Sequence, residues 1–147
     1  MKYVHTNIIS IDWEKLAAFY IKVFGCKIVP PIRNQSGKFL EKGTGVKGAK
    51  LQGVHLALPG YDGDFPTLEI YQYNEIENQA PVAPNKRGFG HIAFEVGNIK
   101  NVLEKVLKNG GTKCGEITEK EIKGIGTIIF IYVRDPEGNL IELQNWR

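Results

Sequence analysis

His5 and His91 each open a β-like run that leads into a helix, and each half of the chain then closes on a strand carrying an acid. The acids are Glu69 in Leu68-Glu69-Ile70-Tyr71 and Glu142 in Leu140-Ile141-Glu142-Leu143. Imidazoles and carboxylates set into strand interiors lose hydration, which is costly unless each finds a partner. A divalent metal ion is the obvious candidate. Taken singly, each residue has a plainer reading: a strand histidine is commonly a hydrogen-bonded core or rim residue, and a strand glutamate is commonly solvated or salt-bridged. What separates the two readings is whether the surrounding elements put the four at equivalent points.

A repeat emerges when the chain is slid against itself so that His5 lies over His91. Without a gap, Asp12 then falls on Asn98, Gly25 on Gly111 and Lys27 on Lys113. Asp12 and Asn98 suit a helix start, where a side-chain oxygen accepts from an orphan N–H, and the two glycines suit helix ends closed by a left-handed residue. Between these marks, Leu16, Phe19, Tyr20, Val23 and Phe24 keep helical spacing, as do Ile99, Val102, Leu103, Val106 and Leu107. Each half therefore has one amphipathic helix whose apolar stripe packs on a sheet.

After each helix the period changes to that of strands. In the first half a strand starts at Lys27 to Val29, a second runs Leu51 to Leu58, and a third Thr67 to Tyr73, with a turn at Pro59-Gly60-Tyr61-Asp62-Gly63-Asp64. Pro30 to Lys47 reads as a long loop of the kind that covers sites. In the second half Lys113 to Ile117 is a weak strand, Gly126 to Arg134 a strong one, and Leu140 to Gln144 the last, after the turn Asp135-Pro136-Glu137-Gly138-Asn139. The expected architecture is α+β, with two tandem βαβββ modules forming a cupped mixed sheet and helices on its outer face. The whole of 1–147 makes one domain: module one at 1–78, a linker at 79–88 and module two at 89–147.

Alternation along strands decides which side chains share a face. Glu69 lies with Thr67, Tyr71 and Tyr73, while Leu68 and Ile70 point to the helix-covered side. Glu142 lies with Leu140, Gln144 and Trp146, and Ile141 and Leu143 point the other way. His5 goes with Tyr3 and Asn7, and His91 with Phe89, Ala93 and Glu95. His55 lacks a repeat counterpart and reads as structural, Glu95 as exposed, and Arg33 and Lys38 as solvated surface.

Composition narrows the classes. With 42% hydrophobic residues over 147 positions, the chain can bury one core or two small modules sharing one. A net charge of +3 from scattered Lys and Arg argues against nucleic acid as the main partner. No apolar run approaches the about 18 residues of a membrane span, and the N-terminus lacks a secretory apolar region, so the expected location is cytoplasmic. Cys26 and Cys114 have no zinc-ribbon spacing and read as reduced, partly buried thiols.

The stretch His5-Thr6-Asn7-Ile8-Ile9, followed by Phe19-Tyr20-Ile21-Lys22-Val23-Phe24-Gly25, resembles the opening of the vicinal oxygen chelate superfamily. That superfamily includes lactoylglutathione lyases and methylmalonyl-CoA epimerases. Gly90-His91-Ile92-Ala93-Phe94-Glu95-Val96 and Arg134-Asp135-Pro136-Glu137-Gly138-Asn139-Leu140-Ile141-Glu142 resemble its second-module signatures. The resemblance spans almost the whole chain and implies one divalent metal held by His5, Glu69, His91 and Glu142. Two imidazoles and two carboxylates suit Ni, Co, Mn, Zn or Fe.

The reaction so implied is that of an isomerase, epimerase or lyase. A small substrate chelates through two neighbouring oxygens, developing enolate charge is stabilised, and a carboxylate moves the proton. Glu142 is the first choice for that base, with Glu69 as its partner. Where lactoylglutathione lyases carry an Arg that holds glutathione, this chain has Ile9, and the glutathione-contacting Asn has no clear match in Tyr71-Gln72-Tyr73-Asn74. Two other functions within the superfamily are extradiol-type oxygenation and metal-free sequestration of a drug-like molecule between aromatic walls, for which Tyr71, Tyr73 and Trp146 are available. A homodimer is the expected assembly; the cup is closed by the modules of one chain or by modules exchanged between chains.

Overall fold

In the computed structural model, which describes residues 1–77 and 80–147, the chain divides into two units, Met1–Asn78 and Gln79–Arg147. The first unit runs β1 (His5–Ile9), α1 (Trp13–Phe24), β2 (Lys27–Ser36), α2 (Lys38–Thr44), β3 (Lys50–Ala57) and β4 (Thr67–Tyr73). The second runs β5 (Ile92–Glu95), α3 (Ile99–Lys108), β6 (Thr112–Ile122), β7 (Gly126–Arg134) and β8 (Leu140–Trp146). Of the expected linker, Gln79 lies outside the described residues, as does Asn78 at the end of the first module; residues 80–91 form no helix or strand.

Each unit builds its own four-stranded mixed sheet, ordered β1-β4-β3-β2 and β5-β8-β7-β6. The first strand of each unit runs parallel to its last, and all other neighbours are antiparallel. A parallel partner needs a crossover, which α1 and α3 provide by packing on one face of their sheets. In the first unit Leu16, Phe19, Tyr20 and Val23 of α1 are buried together with Val54, Leu56, Leu68 and Ile70 of the central strands. In the second, Ile99 and Val106 of α3 are buried with Ile131, Val133, Ile141 and Leu143. Each such side chain removed from water stabilises the fold by about 1.5–3 kcal/mol, so the stripes fix which sheet face is core and leave the other face for the site. Leu107, expected in the second stripe, is 47% exposed, because it sits at the edge of the apolar arc.

The helix starts follow their caps. The Asp12 carboxylate accepts from the Lys15 N–H at 3.1 Å, and the Asn98 side-chain Oδ1 from the Asn101 N–H at 3.0 Å. At the ends the repeat is less strict. Gly25 is left-handed with φ 74° and closes α1, whereas after α3 the left-handed residue is Gly110, not Gly111. Gly111 is required by close approach instead: a Cβ there would stand 2.5 Å from the Arg134 carbonyl oxygen and 2.6 Å from Val106 Cγ1.

The largest departure from expectation is Pro30 to Lys47, which is strand and helix rather than loop. Its prolines fall where the β2–β3 pairing shifts, between Val29 and Arg33, on the edge strand of the sheet. Proline lacks an N–H to donate, and an edge bulge is where a sheet tolerates it. β6 repeats the device, with its shift between Cys114 and Thr118, and is longer than the Lys113 to Ile117 segment expected. Cys26 is buried and Cys114 half-buried, both as free thiols, and burial pushes the Cys26 thiol up to about 11. Among the described residues no helix is long and apolar enough to cross a membrane.

Candidate functional site

Strand register gathers the polar side chains of the first unit on the sheet face opposite α1. Asn7 of β1 and His55 of β3 both stand directly across from Glu69 of β4, and Gly53 stands across from Tyr71. Residues paired this way share a face, and His5, two residues before Asn7, joins them. His5 Nδ1 lies 3.3 Å and His55 Nε2 3.1 Å from the same Glu69 oxygen, Oε1. The Glu69 side chain is only 9% exposed, against 44% for His5, so the acid sits at the bottom of the cluster and His5 at its mouth.

Two more side chains close on this group. The Arg33 guanidinium, from β2, donates to His55 Nδ1 at 3.2 Å, and the Tyr71 hydroxyl meets His55 Nε2. Burial holds His55 below the usual histidine value, reinforced by the Arg33 and His5 charges and opposed by the Glu69 carboxylate. Burial, and after it the Glu69 charge, pushes the Tyr71 hydroxyl up to about 12, so it remains a hydrogen-bond donor at neutral pH. Arg33 is thus half-buried and bonded where solvated surface was expected, and His55 is structural in a more specific sense than expected, touching Glu69 itself.

Gly53 makes room for this arrangement. A Cβ there would lie 2.0 Å from the Ile70 carbonyl oxygen and 2.5 Å from the Tyr71 ring, so a side chain cannot enter without moving β4. Gly53→Ala is therefore expected to destabilise the protein by about 3 kcal/mol, the upper range for forced overpacking. Urea denaturation checks this; a loss under 1 kcal/mol would show that β4 can shift away from β3 at little cost.

The second unit repeats the pattern with fewer partners. His91, just before β5, places Nε2 2.9 Å from Glu142 Oε2. Ala93 stands across from Glu142 as Asn7 does from Glu69, and Tyr132 of β7 takes the register position that His55 holds in the first unit. The His91 and Tyr132 rings lie 4.8 Å apart, and burial, then Glu142, raises the Tyr132 hydroxyl above its ordinary value. The Glu142 side chain is 14% exposed and His91 32%.

The other residues singled out go elsewhere. Tyr71 and Tyr73 pack against a small core of Leu40, Ala49 and Leu51, which pins α2 to the sheet. Trp146 donates to Gln144 Oε1 at 3.3 Å, Glu95 is exposed as expected, and Lys38 is exposed at the start of α2.

Among the described residues no group of three or more His, Cys, Asp or Glu is gathered as a complete metal centre. What each unit holds is a His–Glu pair. Two donors each about 2.1 Å from one ion and at right angles to each other stand roughly 3 Å apart. The observed 3.3 Å and 2.9 Å separations match that spacing, and the N/O donor set is one that divalent first-row metals accept. The donor atoms of each pair therefore suit a divalent ion, His5 with Glu69 in the first unit and His91 with Glu142 in the second.

This fold and these paired donors define a class, and comparison supplies it: the family model of the glyoxalase/bleomycin resistance protein/dioxygenase superfamily matches residues 2–143, and the chain belongs to that superfamily. Within it, the chain is 29% identical over 146 residues to the lactoylglutathione lyase of Escherichia coli O157:H7, covering 97% of this chain and 91% of that one. The probable lactoylglutathione lyase of Vibrio parahaemolyticus is 27% identical over 140 residues, covering 95% and 87%. Among solved structures, a glyoxalase family protein from Bacillus cereus has the same fold with a TM-score of 0.78 at 19% identity, covering 99% of this chain and 93% of that one. The fosfomycin resistance protein FosX of Listeria monocytogenes, complexed with Mn(II) and sulfate, shares the fold at a TM-score of 0.51 and 15% identity, covering 100% of this chain and 92% of that one.

Proposed function

We propose that this chain is a divalent-metal-dependent lyase or isomerase that moves a proton on a carbon next to a carbonyl of a small substrate. The observation that carries the reading is the matched His–Glu pair at donor spacing in each unit, 3.3 Å in one and 2.9 Å in the other. Superfamily membership and the lactoylglutathione lyase relatives support it. When bound, the ion supplies Lewis acidity toward a substrate with two neighbouring oxygens. Glu142 is the base: its carboxylate takes the proton from carbon, and the electron pair left behind spreads onto the adjoining carbonyl oxygen. Glu69, held by His55 and Tyr71, keeps its position while this happens. His5 and His91 stand at the exposed side of each pair, where a substrate arrives.

The relatives' name points to a 2-hydroxyacyl thioester as the substrate class. Ile9 replaces the Arg expected of a glutathione holder, so the acyl part is recognised in preference to the peptide. A purely sequestering protein has no use for paired donors, and here Tyr71 and Tyr73 are engaged with His55 and Leu51 in place of forming an open wall.

Two measurements test the proposal together. Protein purified without added metal is expected to contain, or to take up stoichiometrically, Ni, Co, Mn, Zn or Fe by elemental analysis. In D2O the loaded protein is expected to exchange the C2 hydrogen of S-lactoylglutathione, lactoyl-CoA or a hydroxy-ketone. Protein that takes up no divalent ion ends the reading.

A further inference from the structure

We infer that His55 is a positioning residue for Glu69, fixed in a single tautomer by Arg33. The inference rests on the reading of Glu69 as a metal donor. It starts from the one group in the cluster whose hydrogen-bonding role is not adjustable. A guanidinium has only donors, so the 3.2 Å contact from Arg33 to His55 Nδ1 requires Nδ1 to accept. The ring proton must then sit on Nε2, the nitrogen 3.1 Å from Glu69 Oε1 and beside the Tyr71 hydroxyl. The hydrogen bond of Nε2–H goes to the Tyr71 hydroxyl, and that hydroxyl in turn donates to the Glu69 carboxylate, whose Oε1 is 3.1 Å from Nε2.

The same logic removes His55 from the donor set. A ligating nitrogen needs a free lone pair, but Nε2 carries the proton and Nδ1 faces a cation. Although His55 and His5 stand at nearly equal distances from Glu69, only His5 is free to coordinate. The chain Arg33 to His55 to Tyr71 to Glu69 thus orients one acid from behind, across three neighbouring strands. Outer partners of this kind set a ligand's direction, and their loss typically lowers metal affinity about 10- to 100-fold.

The second unit shows what the device distinguishes. Tyr132 occupies the register position of His55, and the residue aligned with Arg33 by the matching bulges is Thr118, paired with Phe130 as Arg33 is with Gly53. The neighbouring guanidinium, Arg134, bonds the Gly138 carbonyl and the Cys114 sulfur instead of Tyr132. One unit clamps its acid and the other leaves it with His91. That asymmetry assigns a fixed donor to Glu69 and the mobile proton to Glu142.

The test uses the full-length chain in two states. In the metal-free protein, long-range proton–nitrogen correlation spectra are expected to show His55 as the Nε2–H tautomer, and Arg33→Met to convert it to a mixture. In metal titrations followed by calorimetry, with Co2+ and Ni2+ as probes, His55→Ala is expected to weaken affinity about 10- to 100-fold. His55→Gln, whose amide N–H can still donate to the Tyr71 hydroxyl, is expected to recover part of the loss, and Tyr132→Phe to change affinity less than threefold. Far-ultraviolet circular dichroism confirms that each variant folds, and Arg33→Met leaves the carboxylate's immediate neighbours in place should His55→Ala fail to. An Nδ1–H tautomer in the wild-type protein, or unchanged affinity in His55→Ala, overturns the inference while leaving the metal reading intact. A wild-type protein that binds neither ion overturns the metal reading and the role of His55 with it.

Discussion

Glu142→Gln is expected to slow C2–H exchange by about a hundred- to ten-thousand-fold, the usual contribution of a positioned general base. The substitution keeps the shape of the side chain and one carbonyl oxygen, so it can still donate to a metal, but an amide cannot accept a proton from carbon at neutral pH. The expected signature is a fall in rate with metal uptake retained at raised ion concentration. Glu69→Gln is expected to differ. It trades one carboxylate oxygen and the negative charge for an NH2 group that can neither accept from the Tyr71 hydroxyl nor coordinate a cation. It should therefore lower metal affinity first and rate as a consequence. Measuring exchange at saturating metal separates the two: Glu69→Gln then regains most of its rate and Glu142→Gln does not. Equal residual rates at saturation would remove the distinction between the acids, and unchanged exchange in Glu142→Gln would remove its role as base.

That distinction was only half legible in the sequence. A constant offset laid His5 over His91 because β1, α1 and their counterparts β5 and α3 are of similar length with capped helix starts. Past the helices the offset fails. The first unit inserts α2 and a connection between β2 and β3 that the second replaces with a short turn from β6 to β7. The same sliding therefore puts His55 over Ile141, and its true counterpart, Tyr132, emerges only from the pairing of β7 with β8. Arg33 was hidden for a related reason. Pro30 and Pro31 argue against a strand, yet the ladder resumes at Arg33 beyond the bulge and carries its side chain to His55. Core faces and acid faces were readable because alternation has a fixed period. Partners drawn from a third strand were not, since register is a property of pairing and no single strand's pattern contains it.

Asp135→Ala is expected to cost about 3–4 kcal/mol, through buried donors left without an acceptor, and so to lower the melting temperature by roughly 10 °C for a chain of this size. Asp135 is 2% exposed, a charged group almost fully withdrawn from water. It is kept there by the turn it organises: Oδ1 accepts from the Glu137 N–H at 2.9 Å and the Asn139 N–H at 3.0 Å, and Oδ2 from Asn139 Nδ2 at 2.8 Å. The backbone closes the same loop, with Asp135 N–H donating to the Asn139 carbonyl and Gly138 N–H to that of Asp135, both at 3.0 Å. Asp135→Asn should cost less, because one oxygen stays to accept the two backbone donors, although its amide meets that of Asn139. The consequence reaches the site, since Asn139 leads directly into Leu140 and, two residues on, Glu142. Loosening the turn frees the start of β8 and the alignment of Glu142 with His91, so Asp135→Ala is expected to lose exchange activity below its own melting temperature. Thermal and urea unfolding measure the stability, and exchange at 10 °C measures the alignment. A variant that melts within 2 °C of the wild type would mean that water replaces the carboxylate in the turn.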